Sequence, residues 1–257
     1  MIKKTIKYTL IAAIWIAIWQ IASLCVGNEL LFPAPLSVLL RLGELVANAD
    51  FYKIVGFSIL RVVVGMAIGI LIGMLGGILC AFSKFAKDFF SPILAIIKST
   101  PVASFIILLV LWLSRDVTPI VIAAIMVLPV VWANIEMGIR KTDRSLLEMA
   151  KVYKMPRSKQ ISEIYLPSTY PYFLSSMRSS LGLAWKAGIA AEVLLQPLIS
   201  IGKQIFESKY MLETADLFAW TVVVIILSVI IEVILVALFG KAAKRYSFDA
   251  KGDERVG

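Results

Sequence analysis

Apolar residues along this chain fall into long runs, not the alternation of strands or the one-sided spacing of soluble helices. Six such runs stand out, at 9–26, 57–82, 89–113, 117–139, 170–195 and 215–240. Each holds 18 or more residues, enough for a helix to cross a hydrocarbon layer of ~30 Å. The pattern predicts an all-α, polytopic membrane protein: a short terminus at 1–8, a single six-span domain over 9–240 and a tail at 241–257. Between the first two runs, Pro33 and Pro35 lead into an amphipathic stretch that predicts a surface helix over 36–47. Within the third run, Pro92 and Pro101 predict a division into a short helix and then a longer one, and Pro129 predicts a kink in the fourth. Gly65, Gly69, Gly73 and Gly77 recur every four residues, with Gly76 beside the last. This leaves one face of the second span as nearly bare backbone. Packing against another helix of the same chain is the expected use of that face, ahead of a dimer contact.

The polar island 140–169 interrupts the runs. Ser145 and Glu148 stand at capping-box spacing, and Leu147, Ala150 and Tyr153 recur on one helical face. Pro156 is expected to interrupt that helix. A second short helix from about Ser158 offers Ile161, Ile164 and Tyr165 as its apolar side, with Pro167 as its stop. Two short amphipathic helices with a basic rim, tethered between spans, suit insertion into a groove of another protein.

Composition narrows the class. Of 257 residues 60% are hydrophobic, and the mean hydropathy is +0.90. The net charge of +9 does not argue for nucleic acid, because the basic residues sit in short loops beside the spans, where they set topology. If the spans are six, Lys and Arg number 17 on the side of the termini and the 140–169 loop, against five (Arg41, Lys53, Arg115, Lys203, Lys209) on the other. The termini and the loop are therefore expected in the cytosol. The first run follows a basic start but has no small-residue cleavage site, so it reads as an uncleaved span. Cys25 and Cys80 both fall in apolar runs and are expected as buried thiols. With no histidine, the commonest metal ligand and acid–base group is missing. Gly202-Lys203 and Gly240-Lys241 lack the rest of a P-loop, and no CxxC, HExxH or Gly-x-Ser-x-Gly pattern occurs.

The residues of the island carry a resemblance. Glu148-Met-Ala150, three residues, Lys154, nine residues and then Ile164-Tyr-Leu166-Pro167 resemble the EAA loop of ABC importer permeases, which reads Glu-Ala-Ala, three residues, Gly, nine residues, Ile-x-Leu-Pro. Met149 replaces an alanine. Lys154 replaces the glycine, which puts the turn there in question, because lysine tolerates positive φ poorly. Phe32-Pro-Ala-Pro-Leu-Ser37, Ser99-Thr-Pro101, Ser180-Leu-Gly-Leu-Ala-Trp-Lys-Ala187 and Ala190-Ala-Glu-Val193 are similar to the nitrate, sulfonate and taurine branch of the same family. The resemblance implies a type I importer permease in a bacterial-type cell membrane. Glu148, Ala150, Lys154, Ile164, Leu166 and Pro167 would then form the coupling loop. It further implies a second permease copy, a pair of cytosolic ATPases that bind ATP and Mg, and an extracytoplasmic binding protein, with no cofactor in this chain. Substrates of that branch are small oxyanions, organosulfonates and, in some members, vitamin precursors such as pyrimidines. A membrane scaffold or energy-coupling subunit is the competing class, although the Ala-Arg-Gly motif expected of it is absent.

Charges inside the runs are the remaining candidates, because a charge at mid-bilayer costs about 2.5–3.5 kcal/mol on insertion scales and so faces protein or water. Arg61, Glu136 and Glu232 lie near span ends, where they can snorkel. Lys98, Arg178, Lys186 and Glu192 lie deeper. An ion pair of Lys98 with Glu192 is one expectation. The other is that these four line a path for an anion, with Lys186 the strongest candidate.

Overall fold

The computed structural model describes residues 2–247, and the end of the tail lies outside them. Every element among the described residues is helical: α1 (Ile2–Val26), α2 (Pro35–Ala47), α3 (Ala49–Phe82), α4 (Lys84–Ser99), α5 (Val102–Leu109), α6 (Thr118–Arg140), α7 (Arg144–Val152), α8 (Arg157–Gln160), a π-helical turn (Ile161–Tyr165), α9 (Leu166–Leu195), α10 (Ile201–Tyr210) and α11 (Thr214–Ser247). The surface helix appears as α2, with Pro35 in its first turn, where the missing N–H costs nothing.

Four helices among the described residues are long and apolar enough to cross a membrane: 7–26 in α1, all of α3, all of α6, and 214–234 in α11. The bent pair α4 and α5 makes a fifth, with 102° between its halves. The break falls at Thr100 and Pro101, while Pro92 sits inside α4. The order is thus a longer helix and then a short one, the reverse of the expectation. Pro92 lacks only its own N–H bond to the turn before it, whereas Pro101 caps a new helix. The run at 170–195 falls within α9, whose 30 residues would extend about 45 Å. It is not among the apolar spans, because Arg178, Lys186, Glu192 and four serines dilute it.

The chain divides into two compact units. The first holds 1–59 and 192–227. Its aromatic residues join the chain's distant parts. Trp19 stacks on Phe218 at 6.0 Å, Phe32 meets Phe218 edge-on at 5.6 Å, and Phe51 stacks on Trp220 at 5.5 Å. Trp19 Nε1 donates to the Pro33 carbonyl at 3.1 Å. Arg41 reaches Asp216 at 2.6 Å, and the Ser208 hydroxyl donates to the other oxygen of that carboxylate. Cys25, expected buried, is exposed here.

The second unit holds, among the described residues, 60–191 and 228–247. Its centre is the glycine face of α3 laid against α6. A Cβ on Gly73 would lie 2.8 Å from the Leu128 oxygen and 3.0 Å from Val131 Cβ, and one on Gly77 would lie 2.7 Å from the Trp132 oxygen. Gly76 lies under the Trp132 ring. The glycines thus allow backbone-to-backbone approach within the chain, as expected. Cys80, Ala86 and Trp132 form a buried cluster with Phe90, Leu94 and Leu128. Arg140 Nη2 donates to the Cys80 carbonyl at 2.8 Å, tying the ends of α3 and α6 together. Near the same end, the Glu136 carboxylate lies 2.8 Å from Lys87 and 3.0 Å from Arg140.

Candidate functional site

The island folds into α7, α8 and the π turn. The N-cap of α7 is Asp143, whose carboxylate accepts from the Ser145 N–H at 2.9 Å. This corrects the Ser145–Glu148 capping box: the helix begins two residues earlier, and the Asp143 carboxylate takes the free Ser145 amide, which lies inside the helix. That backbone bond holds the Asp143 carboxyl below its ordinary range. At the other end Lys154 has φ +49°. The Met155 N–H bonds the Ala150 carbonyl at 2.8 Å and the Lys154 N–H bonds Lys151 at 3.1 Å. These paired bonds are a Schellman closure with lysine in the left-handed position that glycine normally fills. The turn is therefore kept at Lys154, at the cost of backbone strain.

Pro156 caps α8. Pro167 does not end the second short helix. It falls in the first turn of α9, and the chain runs helically from α8 through the π turn into α9. In that turn the Leu166 N–H reaches back five residues, to Ile161.

Burial separates the motif residues. Ala150 is 0% exposed and Ile164 is 5% exposed, so both pack against their own chain, and Leu147 is half-buried. Tyr153, expected on the face of Ala150, is 77% exposed instead. With Leu146, Met149 and Val152, the last 78% exposed, it forms a second apolar face that points away from the chain. The expected pattern had missed this face. Its sign in the sequence was the spacing 146, 149, 152 and 153, in the same heptad as the inward residues. Glu148, Lys154 and Leu166 are exposed, and Pro167 is half-buried.

The intramembrane charges also separate. Arg178 and Lys186 are exposed on α9, on a face that includes Ser175, Ser179, Gly182 and Ala190. A Cβ added to Gly182 would meet nothing within 4 Å. This is a small, polar, cationic stripe along a helix of membrane-crossing length. Lys98 is exposed in the last turn of α4, next to the break, and carries no ion pair among the described residues. A cation there is favoured by the dipole of its helix end.

Glu192 is 0% exposed. Its carboxylate accepts from the Ser58 hydroxyl at 2.7 Å and the Gly202 N–H at 3.3 Å, while Ser58 Oγ accepts from the Ile201 N–H at 2.9 Å. Glu192 thus ties the end of α9 to the first amides of α10, which favour an anion. Arg61, expected to snorkel, is buried and paired with Asp116 at 2.5 Å. Among the described residues no three His, Cys, Asp or Glu come together in a way that could hold a metal.

A helical membrane protein with an amphipathic loop between its spans has an architecture that suits a transport subunit. The chain belongs to the family described as binding-protein-dependent transport system inner membrane component, which matches residues 69–246. It is 31% identical over 219 residues to the putative aliphatic sulfonates transport permease protein SsuC of Bacillus subtilis (strain 168), covering 84% of this chain and 79% of that protein. It is 28% identical over 204 residues to the nitrate import permease protein NrtB of Synechococcus elongatus, covering 75% and 73%. With the bicarbonate transport system permease protein CmpB of the same species it shares 26% over 207 residues, covering 76% and 73%. The protein is a multi-pass inner-membrane permease subunit of an ABC importer.

Proposed function

We propose that this permease forms the passage for a small oxyanion or organosulfonate, and that the exposed stripe of α9 lines that passage. The observation that carries the reading is the exposure of Arg178 and Lys186 on a helix of membrane-crossing length. Facing lipid, each would cost about 2.5–3.5 kcal/mol, so the face belongs against water or a second copy of the chain. Two copies would bring at least two lysines and two arginines to one passage. A single charge pair at 4 Å is worth about 4 kcal/mol at an effective dielectric of 20. That attracts an anion without trapping it, once its own dehydration is counted. The relatives named for sulfonates, nitrate and bicarbonate support the same substrate chemistry. Lys98, exposed at a bent span, is a further candidate for the passage.

The remaining parts of the importer follow from the loop. Leu146, Met149, Val152 and Tyr153 form the face that enters a groove of a cytosolic ATPase, where ATP and Mg are bound. The buried Ala150 and Ile164 and the turn at Lys154 hold that face in place. The excess of basic residues puts this loop and both termini in the cytosol, and an extracytoplasmic binding protein delivers the substrate opposite. With α9 as the sixth span, both termini lie on one side.

The test is reconstitution with the ATPase and binding protein in liposomes. Lys186→Met should fold and melt as wild type yet lose most uptake of a sulfonate or nitrate. Val152→Glu should leave melting unchanged and abolish substrate-stimulated ATP hydrolysis. Full uptake by Lys186→Met overturns the anion passage. Normal stimulation in Val152→Glu overturns the docking face.

A further inference from the structure

A groove of 390 Å³ opens where the glycine-lined helix α3 ends and α9 begins. Met74 and Ile78 of α3, Ile139 of α6, Ile161 of the π turn, and Thr169 and Phe173 of α9 contribute to its walls. The surface that those walls present is almost wholly apolar. Thr169 is buried, and its hydroxyl has no hydrogen-bond partner among the described residues. A threonine in a helix ordinarily returns that hydroxyl to the carbonyl four residues back. Here that carbonyl belongs to Tyr165, the last residue of the π turn. The hydroxyl is enclosed, so the surface that the groove presents is apolar.

The chain just beyond the groove is basic on three sides. Lys84 follows Phe82 of α3, Lys141 follows Ile139 of α6, and Lys159 precedes Ile161. All three are exposed and make no ion pair among the described residues, unlike Lys87 and Arg140, which share Glu136. Tyr165 and Tyr170 also belong to the groove, and tyrosine is the residue type that collects at the headgroup level. We infer that the groove is a binding site for an anionic phospholipid. One acyl chain lies along Ile78, Ile139 and Phe173, and the phosphate is held by Lys84, Lys141 and Lys159. An apolar slot for the chain, tyrosines beside it and unpaired cations just beyond it match that ligand in order. The lipid would lie directly against the π turn that links the loop to α9, so membrane composition would bear on how firmly the loop is held.

The test uses the full chain in nanodiscs carrying trace phosphatidylglycerol or phosphatidylcholine with a photoactivatable acyl chain, followed by mapping of labelled peptides. The expected result is concentrated labelling of 74–82 and 161–173, competed by excess unlabelled phosphatidylglycerol. Three lysines should give the anionic lipid roughly a hundredfold preference. Lys84→Gln, Lys141→Gln and Lys159→Gln together should bring that preference close to one while labelling persists. These are exposed positions whose replacement leaves the packing intact. Met74→Trp, which fills the groove, should abolish labelling at 161–173, with a melting curve run alongside as its folding control. Labelling at the groove no stronger than on the exposed Leu71 and Leu75 of α3 overturns the site. Equal labelling by the two lipids in the wild type overturns the anionic assignment. Loss of groove labelling once the ATPase is bound shows that a protein covers the slot, and overturns the site too. None of these outcomes depends on which solute is carried.

Discussion

Replacing Lys154 with glycine should firm the loop even though it removes a side chain. Lys154 sits at φ +49°, and a residue with a Cβ pays roughly 1–2 kcal/mol in the left-handed region. Glycine removes that strain but adds freedom to the unlocked loop, which offsets about 0.4–1 kcal/mol of the gain. The net expectation is near 1 kcal/mol, or about a fivefold shift in the local opening equilibrium. The reporter is the Met155 amide, bonded to the Ala150 carbonyl at 2.8 Å, followed by hydrogen exchange in nanodiscs. Lys154→Gly should slow its exchange about fivefold. Lys154→Ala, which removes the charge but keeps the Cβ, should exchange no more slowly than wild type. Alanine protecting as well as glycine would mean that the lysine side chain, not the backbone, sets the effect. Faster exchange in the glycine variant would refute the strain argument altogether.

Two further predictions rest on local geometry. Gly73→Leu should lower detergent stability by about 1–3 kcal/mol, as overpacking does, because its Cβ has no room against Leu128 and Val131. Gly182→Ala should melt like wild type, its Cβ position being open, and equal melting of both variants refutes the packing of α3 on α6. The Asp143 carboxyl is held below its ordinary value by the Ser145 N–H. The stabilisation of α7 is therefore complete above the unlocked aspartate's pKa of about 3.9 and is lost as pH falls through the lowered value. Exchange of the Ser145 amide, normalised for intrinsic rate, should rise in that acid window in wild type and stay level in Asp143→Asn.

The apolar periodicity exposed the spans and the surface helix because both rest on burial, which hydropathy records directly. The glycine repeat was readable for the same reason: bare backbone every four residues has one geometric use. What was not readable depended on competition between neighbours. Asp143 and Ser145 are both capable N-caps, and only the backbone path decides between them. Pro92 and Pro101 look alike in sequence, yet one sits within a helix and the other breaks the span by 102°. The loop's outward face was hidden because its four residues alternate with those that pack inward. Glu192 was visible as a charge but not as a partner of Ser58 and Gly202, since those contacts join segments far apart in sequence.

The same physics separates α3 from α9. The exposed positions of α3 within the bilayer include Leu60, Val63, Leu71, Leu75 and Leu79, a surface that hydrocarbon solvates without cost. On α9 the exposed positions include Leu183 and Leu194 but also Ser175, Arg178, Ser179 and Lys186, and hydrocarbon would reject the two charges. A helix long enough to cross but too polar to face lipid is stable in a membrane only if something other than lipid covers that stripe. The deficit in apolarity of α9 is what the proposed reading requires of a helix that lines a passage or meets a second subunit. Arg178 and Lys186 cost the chain insertion energy, and their retention on an exposed face is intelligible when that face meets water and a passing anion.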